Sequence, residues 1–220
     1  MATPAARQSL STILELVPKV SYAVAYGSAV IKQEGYAGSS MVDYIFAVDN
    51  ATEWHRENLQ MNGYKHYSAL GAVGPSALAS IQSMGAGVYF NVPKLKQGEA
   101  KYALIEVPRL CSELREWKNL YISGRLQKPV ATLVANDSVA EANRSNLRSA
   151  LCAALLLLPN RFTDTELFAT VSSLSYMGDP RMQGVEHPDK PKMIAGGQEG
   201  AFGELYAGAM RDLVHGVASG

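Results

Sequence analysis

The stretch Val20–Asp49, VSYAVAYGSAVIKQEGYAGSSMVDYIFAVD, decides the fold. Val20, Tyr22, Val24 and Tyr26 alternate with the small residues Ser21, Ala23 and Ala25. A period of two with large apolar residues on one side and small ones on the other predicts a strand covered on both faces. Gly27 and Ser28 then turn the chain into a short helix that carries Lys32, one helical turn beyond Ser28 and on the same face. Glu34–Ser40 contains Gly35, Gly38, Ser39 and Ser40 and reads as a flexible connection. Met41–Asp49 is a second strand, with Asp43, Ile45, Ala47 and Asp49 on one face and Tyr44, Phe46 and Val48 on the other. Backbone N–H groups, a hydroxyl, an ammonium and a carboxylate thus meet at one end of a sheet, an arrangement suited to a nucleoside triphosphate and its magnesium ion. Taken singly, Ser28 also reads as a helix N-cap and Lys32 as a solvated charge.

Outward from this corner, Asp43 and Asp49 are separated by ~20 Å of strand and cannot share a metal ion. Asp43, at the strand entry, is the ligand candidate. Asp49 and Asn50 read as the strand exit and a cap, with Glu53 completing the start of a helix through Trp54, His55 and Leu59. His55 and His66 have no acid or cysteine at ligand spacing and read as structural. Pro75 and Gly85 bound a helix through Leu78 and Ile81. Val88–Val92 and Tyr102–Val107 read as a hairpin that extends the sheet, and Glu106 on its second strand is a candidate partner carboxylate for Asp43.

From Leu110 the period becomes helical. Leu110, Leu114, Trp117 and Tyr121 share a face, and the tract NLYISGRLQKP ends that helix at Gly124. Arg125 and Lys128 in this tract are either solvated or phosphate-facing. Ser138 and Glu141 read as a capping box, followed by a stripe of Leu147, Leu151, Leu155 and Leu158 before Pro159. Thr163 and Glu166 cap a second helix with Leu167, Phe168, Val171 and Leu174, giving a helical hairpin. The second helix, DTELFATVSSLS, has no base to meet phosphate, which argues against helix-turn-helix DNA binding. Beyond Arg181 the prolines and paired glycines predict weak order, with one helix in FGELYAGAMRDLVHG.

Composition excludes several classes. The 220 residues carry 20 basic and 20 acidic side chains, so no global charge draws the chain to nucleic acid or to an anionic membrane. Cys111 and Cys152 are too few for a disulfide framework. The longest apolar run, Ala150–Leu158, is too short to cross a bilayer, and the first nineteen residues lack a signal-peptide core. Lys32 is not preceded by glycine, so no P-loop is present, and no serine sits in a G-x-S-x-G elbow.

The blocks YGSAVIKQ, SSMVDYIFAVD, EWHRENL, HYSALGAVGP, GAGVYFN, KYALIEV, NLYISGRLQKP, RSALCAALLLLP, FTDTELFATVSSLSYMGDPRM and FGELY resemble, in order, the mitochondrial-type CDP-diacylglycerol synthases, the translocator-maintenance family of phosphatidate cytidylyltransferases. The resemblance runs from Ser9 to about Ala209. It implies an α/β (α+β) fold: a polymerase-β-like nucleotidyltransferase palm with a mixed sheet over 1–130, a helical winged-helix-like domain over 131–182, and a weakly ordered segment over 183–220. It implies the reaction of CTP with phosphatidic acid to give CDP-diacylglycerol and pyrophosphate, for cardiolipin and phosphatidylglycerol synthesis. Carried over by motif, Gly27, Ser28, Lys32 and Gln33 hold CTP, and Asp43 binds Mg2+ and acts in catalysis with Lys32. Met41 stands where the superfamily places a second acid, so Glu106 is the expected supplementary ligand. Arg125 and Lys128 are expected at phosphate or lipid headgroup. The implied location is the matrix side of the mitochondrial inner membrane, attached peripherally, with no nucleic-acid partner. Family members continue further with a basic, amphipathic end, so that extension is expected to be missing here. With the incomplete acid set, this leaves a non-catalytic, membrane-associated assembly factor as the alternative.

Overall fold

The computed structural model describes residues 4–27, 30, 41–67, 69–95, 98–177 and 187–218. They form two compact units: one from residues within 1–30, 39–112 and 130–140, the other from residues within 113–129 and 141–220. The division differs from a single cut at 130, because the tract before Pro129 belongs with the helical part while residues 130–140 return to the sheet.

The first unit holds a mixed sheet. β1 (Tyr22–Tyr26) lies antiparallel to β2 (Val42–Val48), which lies parallel to β5 (Gly98–Glu106). β3 (Tyr89–Asn91) runs antiparallel to β5, and β6 (Ala131–Val134) runs antiparallel to β1, giving the order β3-β5-β2-β1-β6, with the short β4 (Lys94–Leu95) beside β5. Both faces are buried, as the alternation in β1 predicts. On one face Ala23, Ala25, Phe46 and Tyr102 pack with Ile13 and Trp54. On the other, Val24, Ile45, Ala103 and Ile105 are fully buried. The β3–β5 pairing bears out the expected hairpin.

α2 (Ala51–Asn62) begins at Asn50, whose side chain accepts from Glu53 N at 2.9 Å, and its Trp54 Nε1 donates to Pro18 O at 3.3 Å. Beneath α2 lies a buried polar network. His55 Nδ1 is 2.8 Å from Tyr67 Oη and Nε2 is 3.0 Å from Gln82 Oε1. Asn58 donates to Tyr67 and Tyr102, and Tyr102 also meets His66 Nδ1 at 3.1 Å. Both histidines are therefore structural, and burial lowers the pKa of each. α1 (Pro4–Ser11), α3 (Pro75–Ser83) and the start of α4 (Val107–Glu116) complete this unit.

The second unit is helical: α5 (Ser123–Leu126), most of α6 (Asp137–Leu157), α7 (Asp164–Leu174), α8 (Lys190–Gly196) and α9 (Glu199–Ala218). α7 opens with the predicted capping box of Thr163 and Glu166. α6 starts two residues earlier than predicted. Its cap is Asn136, whose Oδ1 accepts from Val139 N at 3.2 Å, in place of Ser138. The expectation of weak order toward the C-terminus is corrected over residues 187–218: Phe202 and Tyr206 are fully buried, and Phe168 stacks on Phe202 at 5.0 Å. Burial of these aromatics outweighs the local Gly and Pro content. Residues 183–186 lie outside the described residues.

Candidate active site

Tyr26, the last residue of β1, is directly across from Asp43, the second residue of β2. The chain leaves β1 through Gly27 at φ +92°, a region that L side chains rarely adopt. A Cβ at Gly27 would have Asp43 Oδ2 as its nearest neighbour, at 3.4 Å. Gly27 O accepts from Val30 N at 3.1 Å, which closes the turn. Glycine turn and carboxylate thus face each other at one end of the sheet, as the sequence predicts. Ser28, Lys32 and Gln33 lie outside the described residues.

Across the other side of β2, Asp43 pairs with Lys101 of β5. Residues opposite one another on adjacent strands project to the same face, with backbones ~4.8 Å apart. The Lys101 ammonium rests 4.4 Å from the centroid of the Phe90 ring. A cation, not a second acid, is therefore the neighbour of Asp43 on β5.

Glu106 does not complete a carboxylate pair. It is paired with Val48 at the far end of the same parallel ladder, five residues beyond Lys101 and ~16 Å along the strand. Its Oε1 accepts from Ala51 N at 2.9 Å, so it caps the N-terminus of α2. Asp49 is exposed just before that cap, as expected for a strand exit.

Arg125 and Lys128 belong to the second unit. Arg125 donates to Tyr121 O and lies 4.1 Å over the Tyr121 ring. The Lys128 ammonium donates to Gly124 O at 2.6 Å and to Ser175 Oγ at 2.8 Å, with the Tyr176 ring at 5.4 Å. Burial, reinforced by the Arg125 charge, pushes its pKa down to about 7. Gly124 permits this packing, since a Cβ there would lie 2.3 Å from Ser175 Cβ.

The family described as phosphatidate cytidylyltransferase, mitochondrial, matches residues 10–219. The chain belongs to this family. It is similar to the mitochondrial phosphatidate cytidylyltransferase of Dictyostelium discoideum, 38% identical over 96% of this chain and 55% of that protein. The Mus musculus enzyme of the same name is 43% identical over 90% of this chain and 60% of that protein, and that of Schizosaccharomyces pombe 40% identical over 85% and 49%. The chain thus spans about half to three-fifths of the length of these relatives.

Membership in this cytidylyltransferase family raises the question of a metal ion. Among the described residues no three His, Cys, Asp or Glu side chains are grouped to hold one. The corner nevertheless fits magnesium, which is commonly held by one or two carboxylates together with substrate phosphates and water. Gly27 leaves the space beside Asp43 Oδ2 that a side chain would fill. Lys101 is the residue that sequence reading missed. Its position opposite Asp43 follows from the parallel register of β2 and β5, and the motif KYALIEV marks the strand without marking the register.

Proposed function

We propose that this chain is a phosphatidate cytidylyltransferase, joining CTP and phosphatidic acid into CDP-diacylglycerol and releasing pyrophosphate. The observation that carries the reading is the Gly27 turn set against the Asp43 carboxylate in a chain of this family. The sheet unit is read as a polymerase-β-like palm and the helical unit as a winged-helix-like domain.

In this reading the Gly27–Ser28 backbone, Lys32 and Gln33 grip the CTP triphosphate, with Lys32 on the β- and γ-phosphates. Asp43 is the ligand for magnesium, which when bound offsets the charge that develops on the phosphates. Lys101, opposite Asp43 on β5, supplies a positive group on the same face of the sheet. A phosphate oxygen of phosphatidic acid attacks the α-phosphorus of CTP in line. The new P–O bond forms as the bond to the β-phosphate bridging oxygen breaks, and its electron pair leaves with pyrophosphate. The attacking phosphate is already anionic at neutral pH, so no strong general base is needed and a site with Met41 in place of an acid can serve. Arg125 is read as a contact for phosphate or headgroup, with the Tyr121 ring fixing its guanidinium, whereas the Lys128 ammonium is buried against Gly124 O and Ser175 Oγ and is not read as one. The product would feed cardiolipin and phosphatidylglycerol synthesis, with the protein attached peripherally to the matrix side of the mitochondrial inner membrane.

The test is pyrophosphate release by the purified chain with CTP, magnesium and phosphatidic-acid liposomes. Release abolished by Asp43→Asn is expected. Release that survives Asp43→Asn sinks the assignment of Asp43. A folded chain that neither releases pyrophosphate nor binds CTP sinks the enzyme reading and leaves the non-catalytic assembly factor, which Met41 favours, as the alternative.

A further inference from the structure

Among the described residues Trp117 is the one other than glycine with a positive φ, +50°. It closes α4, its N–H donating to Glu113 O at 3.2 Å, in a left-handed position that helix ends usually give to glycine or asparagine. A bulky side chain persists there where its surroundings over-determine it, and such residues cluster at functional sites. What holds Trp117 is the fully buried Asn146 of α6. Asn146 Oδ1 accepts from Trp117 Nε1 at 2.8 Å and from Gln127 Nε2 at 3.0 Å. Its Nδ2 donates to Ser123 O at 3.1 Å and to Asn143 Oδ1 at 2.9 Å. The amide thus makes all four of the hydrogen bonds open to it, and three of them go to the segment Trp117–Gln127. α9 adds another tie, since the buried Tyr206 Oη donates to Gln127 O at 3.0 Å. Such a network adds little net stability over apolar packing; fully satisfied, it rigidifies the chain and specifies one arrangement.

Arg125 lies between Ser123 and Gln127, the two residues of the segment's far end that Asn146 grips. Its guanidinium donates to Tyr121 O and lies over the Tyr121 ring, and the Tyr121 N–H is in turn held by Asn119 Oδ1 at 3.0 Å. The segment therefore joins a buried, braced inner side to a guanidinium of fixed orientation. We propose that Asn146 is a positioning residue for the cytidylyltransferase reaction, fixing the Trp117–Gln127 segment so that Arg125 meets a substrate phosphate in one orientation. The inference rests on the reading of Arg125 given above and adds the residue that aims it. A guanidinium recognises phosphate through a planar fork of donors, so its affinity depends on orientation as well as on charge. An arginine on an unbraced loop would have to be ordered at each binding event, which weakens binding. Bracing by Asn146 removes that cost. The phosphatidate headgroup and the CTP triphosphate both offer this phosphate chemistry.

The test is steady-state turnover by the whole chain with CTP, magnesium and short-chain phosphatidic acid, beside calorimetric binding of each substrate, for wild type, Asn146→Ala, Arg125→Ala and the double variant. Asn146→Ala should raise KM and Kd for one substrate about tenfold, with kcat within about twofold of wild type. A rise for phosphatidic acid assigns the headgroup to Arg125, and a rise for CTP assigns the triphosphate. In the Arg125→Ala background Asn146→Ala should add less than about twofold, because the group it aims is gone. Val171→Ala, in the apolar core of the same unit, is the stability control and should lower Tm while leaving both KM values within about twofold. Trp117→Phe removes a single bond to Asn146 and keeps an aromatic ring, so it should give a smaller rise of the same kind and serves if Asn146→Ala does not fold. Unchanged affinities in the folded variants, additive losses in the double variant, or an equal loss in Val171→Ala overturns the proposal. Absence of turnover with Asn146-dependent binding intact removes the enzyme reading and leaves the positioning role; turnover with affinities that ignore Asn146 does the reverse.

Discussion

Replacement of Gly27 by alanine isolates what the glycine turn does. The nearest atom to the added methyl would be Asp43 Oδ2 at 3.4 Å, an ordinary contact, so steric exclusion is not the main cost. The cost is conformational: φ is +92°, where a residue with a Cβ loses about 1–2 kcal/mol. For a chain of this size that lowers Tm by roughly 2–8 °C. Relaxation toward negative φ would move the turn, and a displacement of about 1 Å at a reacting group can cost ~10²-fold in rate. Gly85 supplies the control. It also has positive φ, +57°, with nothing within 4 Å of a built Cβ. Gly85→Ala should cost about 1 kcal/mol in stability and leave turnover within about twofold. Gly27→Ala should cost similar stability and about 10–100-fold in kcat/KM for CTP, measured by pyrophosphate release beside thermal melts. If the two variants lose activity equally, or Gly27→Ala keeps wild-type kcat/KM, the turn does not support the site and the reasoning fails.

Glu106→Ala removes the acceptor for Ala51 N and should destabilise by about 1 kcal/mol with turnover within about twofold; a 10²-fold loss with unchanged Tm would restore it as a ligand. Lys101→Met keeps the stem over Phe90 and removes the charge, so kcat/KM for CTP should fall by roughly tenfold or more, with partial recovery in Lys101→Arg and no change in melting. His55 and His66 are held neutral by burial, with folded pKa values below the unfolded value. Their contribution to stability is full above about pH 6.5 and is lost as pH falls from there through the folded pKa values; urea midpoints measured across that window check the sign. Lys128 has its folded pKa lowered to about 7 from 10.5. The unfolded chain then binds the extra proton between those values, so wild type should gain stability relative to Lys128→Met as pH rises through that interval, and a flat or falling difference in chemical melts would contradict the burial of its charge.

What was legible in the sequence was local. The alternation through Tyr22–Tyr26 needs no partner to be read, and the caps at Asn50 and Thr163 are contacts between residues three apart. The exit of β1 through glycine and the entry of β2 at Asp43 are likewise short-range. What was not legible depends on register or on distant packing. Glu106 looked like a partner for Asp43 because it shares a strand with residues beside it, and only the pairing of Asp43 with Lys101 and of Val48 with Glu106 shows which end of β5 each occupies. Burial of Phe202 and Tyr206 against Phe168 orders residues whose composition suggests loop. Leu155 follows the helical period, yet it remains 39% exposed, because a period states which face a residue is on and not how far the packing partner extends.

The register also limits how the corner can hold charge. β2 and β5 are parallel, so their entry ends coincide and the residue opposite Asp43 is set by the ladder. That residue is Lys101, Met41 precedes the strand, and Glu106 is occupied at the other end capping α2. Among the described residues the ladder therefore sets one carboxylate, Asp43, opposite one lysine, Lys101, whose ammonium rests on the Phe90 ring of β3. A single carboxylate holds a divalent cation weakly by itself, so on the proposed reading the remaining ligands would be phosphate oxygens of the nucleotide and water. The ammonium then matters in two ways: it opposes cation binding when the corner is empty and favours the anionic nucleotide when it arrives. Cation and CTP are thereby expected to bind as one unit, and a corner that looks incomplete as a metal site is consistent with one whose ligand set the substrate completes.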